Sequence, residues 1–418
     1  MPACRQVLTT PDTAATSLKE FIPEFIDALT RPATAEEKWS GTFAPPAPPR
    51  IALTGNYDEI QSYFEGDLSR FRYVAPIGLM TDGLPVVPPT EEKVARMLTG
   101  TSHSPDEVIE IRSHRGDVLV ATATVEKVAV NAVMAGCKPE YFPIVLAMAE
   151  FGGCQGAASD SSQGHFFVVS GPIAKEIGMN SGMSYLTPGN PANMALERAA
   201  ILIGINLAGT VIGVTSNGRF GNFLWGLTFA DSPDSPWEGL NVDQGYNADQ
   251  SILIGFVGCA WITPYNTAEV MIAQDLRELQ VSDPEHAVAA LKTHKKNMTS
   301  CMLFFTPDTA KKWHDEYGFE TMQQLQDYLW DNVTYTAGEW RSTYWFYSSE
   351  PTAKKNPPGT RMINPDHLAA PDDAQVPIVV SPELIKIIVA GGDGDGWGWG
   401  GSGYGRLARN DVLIDKWR

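Results

Sequence analysis

From Met194 to Leu207 nearly every residue is apolar, with Glu197 and Arg198 the only charges. A helix with no face left for water has to sit inside a layered fold, so other elements must cover it on all sides. Just before it, HFFVVSG (His165–Gly171) reads as a buried strand stopped by Gly171-Pro172. Asn190 is placed to cap the helix, and Pro191 occupies a first-turn position where a missing N–H costs nothing. The loop between strand and helix is rich in Gly, Ser and Asn, and rigid flanking elements make such loops good carriers of binding groups. Arg198 lies in the first two turns of this buried helix and therefore demands a counter-charge. Either an internal carboxylate or a bound anion facing Asn180-Ser181-Gly182 would serve.

Elsewhere the pattern alternates between strands and helices. Thr90 and Thr124 precede helical stretches, and Gly136 ends the second of them. Strands are expected at Val108–Ile111, Val118–Ala121 and Cys301–Phe305, with a last one within Glu383–Ala390. The fold class that follows is α/β, a mixed sheet with flanking helices, carrying an inserted β-rich segment and an N-terminal helical arm. Its expected divisions are an arm and Pro-rich linker over 1–49, an α/β core over 50–210 and a β-rich segment over 211–265. An α/β segment with a long surface connection follows over 266–376, and 377–418 returns a final strand and Gly-rich loop to the core.

Net charge is −18, which argues against nucleic acid and anionic membrane surfaces as partners. With no long apolar run and no basic–apolar leader at the N-terminus, a cytoplasmic location is expected. Five scattered cysteines without a CxxC support neither a disulfide framework nor a structural zinc site, and the histidines show no ligand spacing. No metal is expected, and no cofactor is specified.

Cys137 stands where a helix restarts at Pro139, beside Lys138, and both the helix dipole and the cation would favour its thiolate. A small buried hydrophobe is the alternative. Cys137, His165 and Glu140 are the candidate catalytic groups. Candidate substrate-binding residues are Asp82, Asn180, Ser181, Asn190, Asn193, Arg198, Trp397 and Trp399. The two tryptophans lie in Gly391–Gly405, which reads as a mobile loop able to close over a ligand, or else as a flexible tail. It lacks a Walker lysine and a following helix, so a nucleotide loop is not supported.

TDGLPVVPPTEEKVARML, VEKVAVNAVMAGCKPEYFPIVLAMAE, VVSGPIAKEIGMNSG, PGNPANMALERA and SPWE together resemble a bacterial family associated with small thiol or selenol proteins bearing a UGSC or CGSC motif. The resemblance spans about Tyr73–Glu238. It implies an enzyme component acting with such a partner protein. The chain has no GSC triplet of its own, and Ser161-Ser162-Gln163 stands where the family has Thr-Thr-His. Two functions remain open: an enzyme for a small polar or anionic molecule, by thiol-linked redox or by hydrolase/lyase acid–base chemistry, or a non-catalytic subunit of a homo- or hetero-oligomer.

Overall fold

The computed structural model describes residues 53–65, 80–112, 119–154, 164–210, 227–266, 283–292, 300–342, 365–379, 381–394, 396–402 and 411–418, with positions 23, 26, 27 and 30–32. Most of the expected arm lies outside the described residues, but Pro23, Ile26, Asp27 and Thr30 are helical. Contacts divide the chain into two units, residues 1–60 and 61–418. The second holds the elements below.

Helix α1 (Glu91–Leu98) begins at Thr90, whose hydroxyl accepts from the Lys93 N–H. Strands β1 (Val108–Arg112) and β2 (Leu119–Thr124) pair as an antiparallel hairpin outside the main sheet. Thr124 caps α2 (Val125–Met134), and Gly136 closes it with φ +83°, a left-handed turn that glycine adopts without a Cβ penalty. After a tight turn at Pro139–Tyr141 comes α3 (Phe142–Phe151), whose apolar residues are buried on every side. Strand β3 (Gly164–Ser170) and a short helix α4 (Pro172–Glu176) lead through the Asn-rich loop to α5 (Pro191–Asn206).

The all-apolar sequence of α5 has the burial it requires: Leu196, Ala199, Ala200, Leu202 and Ile203 are sealed in, packed with α2 and α3. Met194 alone breaks the pattern by facing outward. Asn190 occupies the cap position but its side chain caps nothing. Its amide is drawn instead to the carbonyls of Ser184 and Thr187, at 2.7 and 2.9 Å.

Beyond α5 follow β4 (Leu227–Ala230), β5 (Ile252–Asn266), α6 (Pro284–Lys292), β6 (Ser300–Phe305), α7 (Pro307–Asp315) and α8 (Met322–Asn332). A small hairpin of β7 (Thr334–Thr336) and β8 (Gln375–Pro377) precedes β9 (Ile385–Val389), β10 (Gly396–Ser402) and β11 (Asp411–Leu413). The central sheet runs β4-β3-β5-β10-β6-β9, with β11 added to β5. Strands β3/β4 and β6/β9 are parallel pairs, and the other neighbours are antiparallel. The α/β reading therefore stands, and the sheet is mixed.

Two expectations change. The described strands of 211–265, read as an inserted β-rich segment, are β4 and β5, and both belong to the central sheet. Residues 396–402, read as part of a mobile loop, form β10 at the middle of that sheet, hydrogen-bonded on both sides. Gly-Trp-Gly-Trp alternates with period two, which is a strand pattern that the glycine content masked.

The sheet also repeats itself. In the first half, β3 gains a parallel neighbour (β4) on one side and an antiparallel one (β5) on the other. In the second half β6, β9 and β10 do the same, and the halves join at β5–β10. Beyond the two parallel pairs the backbone bonds match: Asp231 N–H donates to Val169 O, and Ala390 N–H donates to Phe305 O. Phe166 of β3 and Phe304 of β6 lie three strand spacings apart along the sheet, roughly 14 Å if it were flat. Their ring centroids are 6.5 Å apart, so the sheet curls over an inner core. Ser232 N–H to Val389 O, 2.7 Å, ties the ends of the two outer strands together. The outer face of β3, with Phe167 and Val169, packs against the α2–α5 core, while Phe166 and Val168 face inward.

Close packing between layers rests on small residues. A Cβ on Gly204 of α5 would lie 2.0 Å from the backbone oxygen of Cys154. Gly204→Ala is expected to destabilise the fold by about 3 kcal/mol, measured by urea denaturation. A loss near zero would mean that the 154 segment shifts freely.

Candidate functional site

The curled topology brings the carboxyl ends of β3 and β4 side by side, where Ser170 is the last residue of β3 and Asp231 directly follows β4. Gly171 makes the turn after β3 with φ +105°, and a Cβ there would meet Gln250 O at 2.4 Å, so no larger residue fits. Ser170 Oγ lies 2.8 Å from Asp231 Oδ2 and 3.2 Å from Asn241 Oδ1, and it accepts from the Asn241 N–H at 2.9 Å. One hydroxyl proton thus has two acceptors to choose between. Leu240 N–H adds a second bond to Asp231 Oδ2, 3.1 Å. Buried Asn241 is itself fixed by donating Nδ2–H bonds to the carbonyls of Asn247 and Gln250.

Asp231 opens on a cleft of about 570 Å³, whose walls include Lys175, Ser181, Ser232, Ser235 and Trp237. Burial raises the Asp231 carboxyl to about 6, partly opposed by the Ser170 and Leu240 hydrogen bonds. That places its proton near neutrality, where a carboxyl group can both donate and accept. Trp237 is anchored by its indole N–H to Phe319 O, 2.7 Å, with its ring against Phe305. It serves the core and the cleft wall together.

A folded-state carboxyl raised from 3.8 to about 6 contributes stability that is complete below pH 4 and is lost as pH rises through 6. Two pH units correspond to about 3 kcal/mol. Urea denaturation of wild type and Asp231→Asn at pH 4 and pH 7 is expected to show the wild-type advantage shrinking by about that amount. An unchanged difference would place the carboxyl at its ordinary value.

The Asn180–Asn193 loop forms one wall of this region through Ser181, whose carbonyl accepts the Gly391 N–H at 2.8 Å. Strand β9 therefore delivers its end beside Ser181, whereas Asp82 and Cys137 are not among the wall residues of this cleft. The asparagines serve mainly to hold the loop. Asn193 exchanges bonds with the Asn180 backbone at 3.1 and 2.9 Å, and Asn180 Nδ2 bonds Asn190 Oδ1 at 2.9 Å. Ser184 at φ +61° is the strained position this bracing sustains.

Arg198 and Asp82, both expected to bind substrate, bind each other. Nε and one terminal nitrogen meet the two carboxylate oxygens at 3.0 Å each, and that nitrogen also donates to Leu84 O and Pro85 O. Of the two alternatives for this guanidinium, the geometry is that of the internal carboxylate.

Cys137 departs from its expected chemistry. It precedes the cap residue Lys138, its Sγ–H donates to Ala195 O at 3.4 Å, and burial pushes the thiol up to about 12. Desolvation outweighs the favourable charge of Lys138, which is exposed and shares its charge with exposed Glu140 at 3.9 Å. At pH 7.5 iodoacetamide is expected to label Cys137 on the order of 10³-fold more slowly than an unperturbed thiol, followed by peptide mass spectrometry. Labelling at the ordinary rate would restore the nucleophile. Cys154 and Cys301 are buried and raised in the same direction.

His165 is buried near the start of β3, with its ring stacked on Phe167 at 6.4 Å, at the end of the strand opposite Ser170. Trp397 and Trp399 have their backbones within β10. Asp160, Ser161 and Ser162 lie outside the described residues. Asp231 and Ser170 were missed because Asp231-Ser232-Pro233 reads first as a turn. An acid directly after an apolar strand and just before SPWE was the available signal.

Among the described residues no group of three or more His, Cys, Asp or Glu is placed to hold a metal ion. Among them, too, no helix is long and apolar enough to cross a membrane. The architecture is mixed α/β. The chain matches no family model, no curated protein and no solved structure.

Proposed function

We propose that the protein is an enzyme that converts a small polar molecule by general acid–base chemistry, with Asp231 as the proton-transferring group. The observation that carries this reading is a carboxyl raised to about 6 on the wall of a 570 Å³ cleft, at the carboxyl ends of two parallel strands. Ser170 and Leu240 hold the Oδ2 oxygen, which leaves Oδ1 for substrate. The Ser170 hydroxyl donates to ionised Asp231, and it can turn to Asn241 Oδ1 when Asp231 carries the proton. Lys175 is the cation on the cleft wall and favours a substrate with an anionic group. Hydrolase or lyase chemistry fits these parts better than thiol-linked redox, because Cys137 holds its proton far above neutrality.

The test is incubation of the purified chain with the small-molecule fraction of a cell extract, followed by mass spectrometry. The expected result is depletion of a small anionic compound with matching product by wild type and not by Asp231→Asn. Equal depletion by both proteins would remove Asp231 from the chemistry. No depletion by wild type would end the enzyme reading.

A further inference from the structure

A second pocket, of about 270 Å³, lies between α1, the end of α2 and the Cys137–Pro139 turn, and shares no wall residue with the Asp231 cleft. Its charged lining is Lys93, Arg96 and Lys138, with no acid among the wall residues. In a chain of 49 acidic and 31 basic residues such a grouping runs against the composition.

Helix dipoles do not account for it. Arg96, in the last turn of α1, is where a cation complements the dipole. Lys93 lies in the first turn of the same helix, and Lys138 caps the amino end of the Pro139–Tyr141 turn. At both positions the dipole opposes a positive charge. Among the described residues neither Lys93 nor Arg96 has an ion-pair partner, and Lys138 makes a long, exposed contact to Glu140 and lies over the Tyr141 ring, 5.8 Å from its centroid. Val87 adds exposed apolar wall beside the cations, while Met97 is buried.

We propose that this pocket binds a small dianion with a compact apolar body, by chemistry a phosphate monoester. Lys93, Arg96 and Lys138 neutralise the phosphate, and Val87 covers the organic part. The volume sets an upper limit near one small ring or a short chain.

Isothermal titration of the full chain with phenyl phosphate and with inorganic phosphate tests this. Phenyl phosphate is expected to bind once per chain and more tightly than inorganic phosphate. Arg96→Gln and Lys93→Gln are each expected to weaken binding about tenfold, from loss of a charge-assisted contact. Lys311→Gln on α7 and Asp231→Asn should leave it unchanged, and thermal melts should show all variants folded. The proposal is overturned if wild type binds neither probe at millimolar concentration, or if Lys311→Gln weakens binding as much as Lys93→Gln. It is also overturned if Asp231→Asn abolishes binding, since the probe would then occupy the other cleft.

Discussion

Asp231→Asn is expected to lower turnover by about 10²–10⁴-fold, the usual contribution of one positioned acid–base group. Asparagine keeps the shape of the side chain and can still accept from Ser170 and Leu240, so the fold and substrate affinity should change little. The effect should therefore fall on kcat rather than on KM. Once the substrate is known, steady-state kinetics of the two proteins decide the matter. A loss of less than about threefold would mean that the carboxyl group does not transfer the proton. Ser170→Ala should act differently: it removes a hydrogen bond that favours the ionised form, so it moves the Asp231-dependent limb of the pH–activity profile to higher pH.

The largest expected loss of stability comes from the Arg198–Asp82 pair. Asp82 is 5 % exposed and Arg198 24 %, and together they pin the 82–85 segment to the buried helix α5. Asp82→Ala strands a guanidinium that water only partly reaches, and should cost about 3–5 kcal/mol in urea denaturation. Adding Arg198→Met in the same chain should recover much of that, since an uncompensated charge costs more than a missing pair. If Asp82→Ala costs under about 1 kcal/mol, the guanidinium is rehydrated and the pair is only a surface contact.

Much of the local structure was legible in the sequence for a specific reason: its punctuation is strong. Thr90, Thr124, Gly136 and Pro191 all mark the helix ends they announce, because caps and left-handed turns are decided by a few adjacent residues. Burial of α5 was equally readable, since no amphipathic alternative existed for it. Topology was less so. That β10 enters between β5 and β6, and that the halves repeat, depends on pairings between segments far apart in the sequence, such as Gly396 with Asn266 and Trp397 with Phe305, which no local pattern records. The Gly-Trp alternation of β10 was visible, but glycine content reads first as a loop.

The candidate site failed in the sequence for a related reason. Chemistry was sought where residues are conspicuous: a cysteine at a helix start, an arginine in an apolar helix, asparagines in a loop. Three-dimensional packing assigns those groups to structure. Desolvation raises the Cys137 thiol, Asp82 occupies Arg198, and the asparagines brace one another. Asp231 looked ordinary because its character comes from what surrounds it, namely the end of β3, the Leu240 turn and the cleft.

The most direct test of that assignment is the titration of the Asp231 carboxyl itself, by NMR of protein labelled with ¹³C at aspartate carboxyls, with Asp231→Asn identifying the resonance. The carboxyl group is expected to titrate at about 6, and higher still in Ser170→Ala. A midpoint near 4 that ignores Ser170→Ala would contradict the acid–base site.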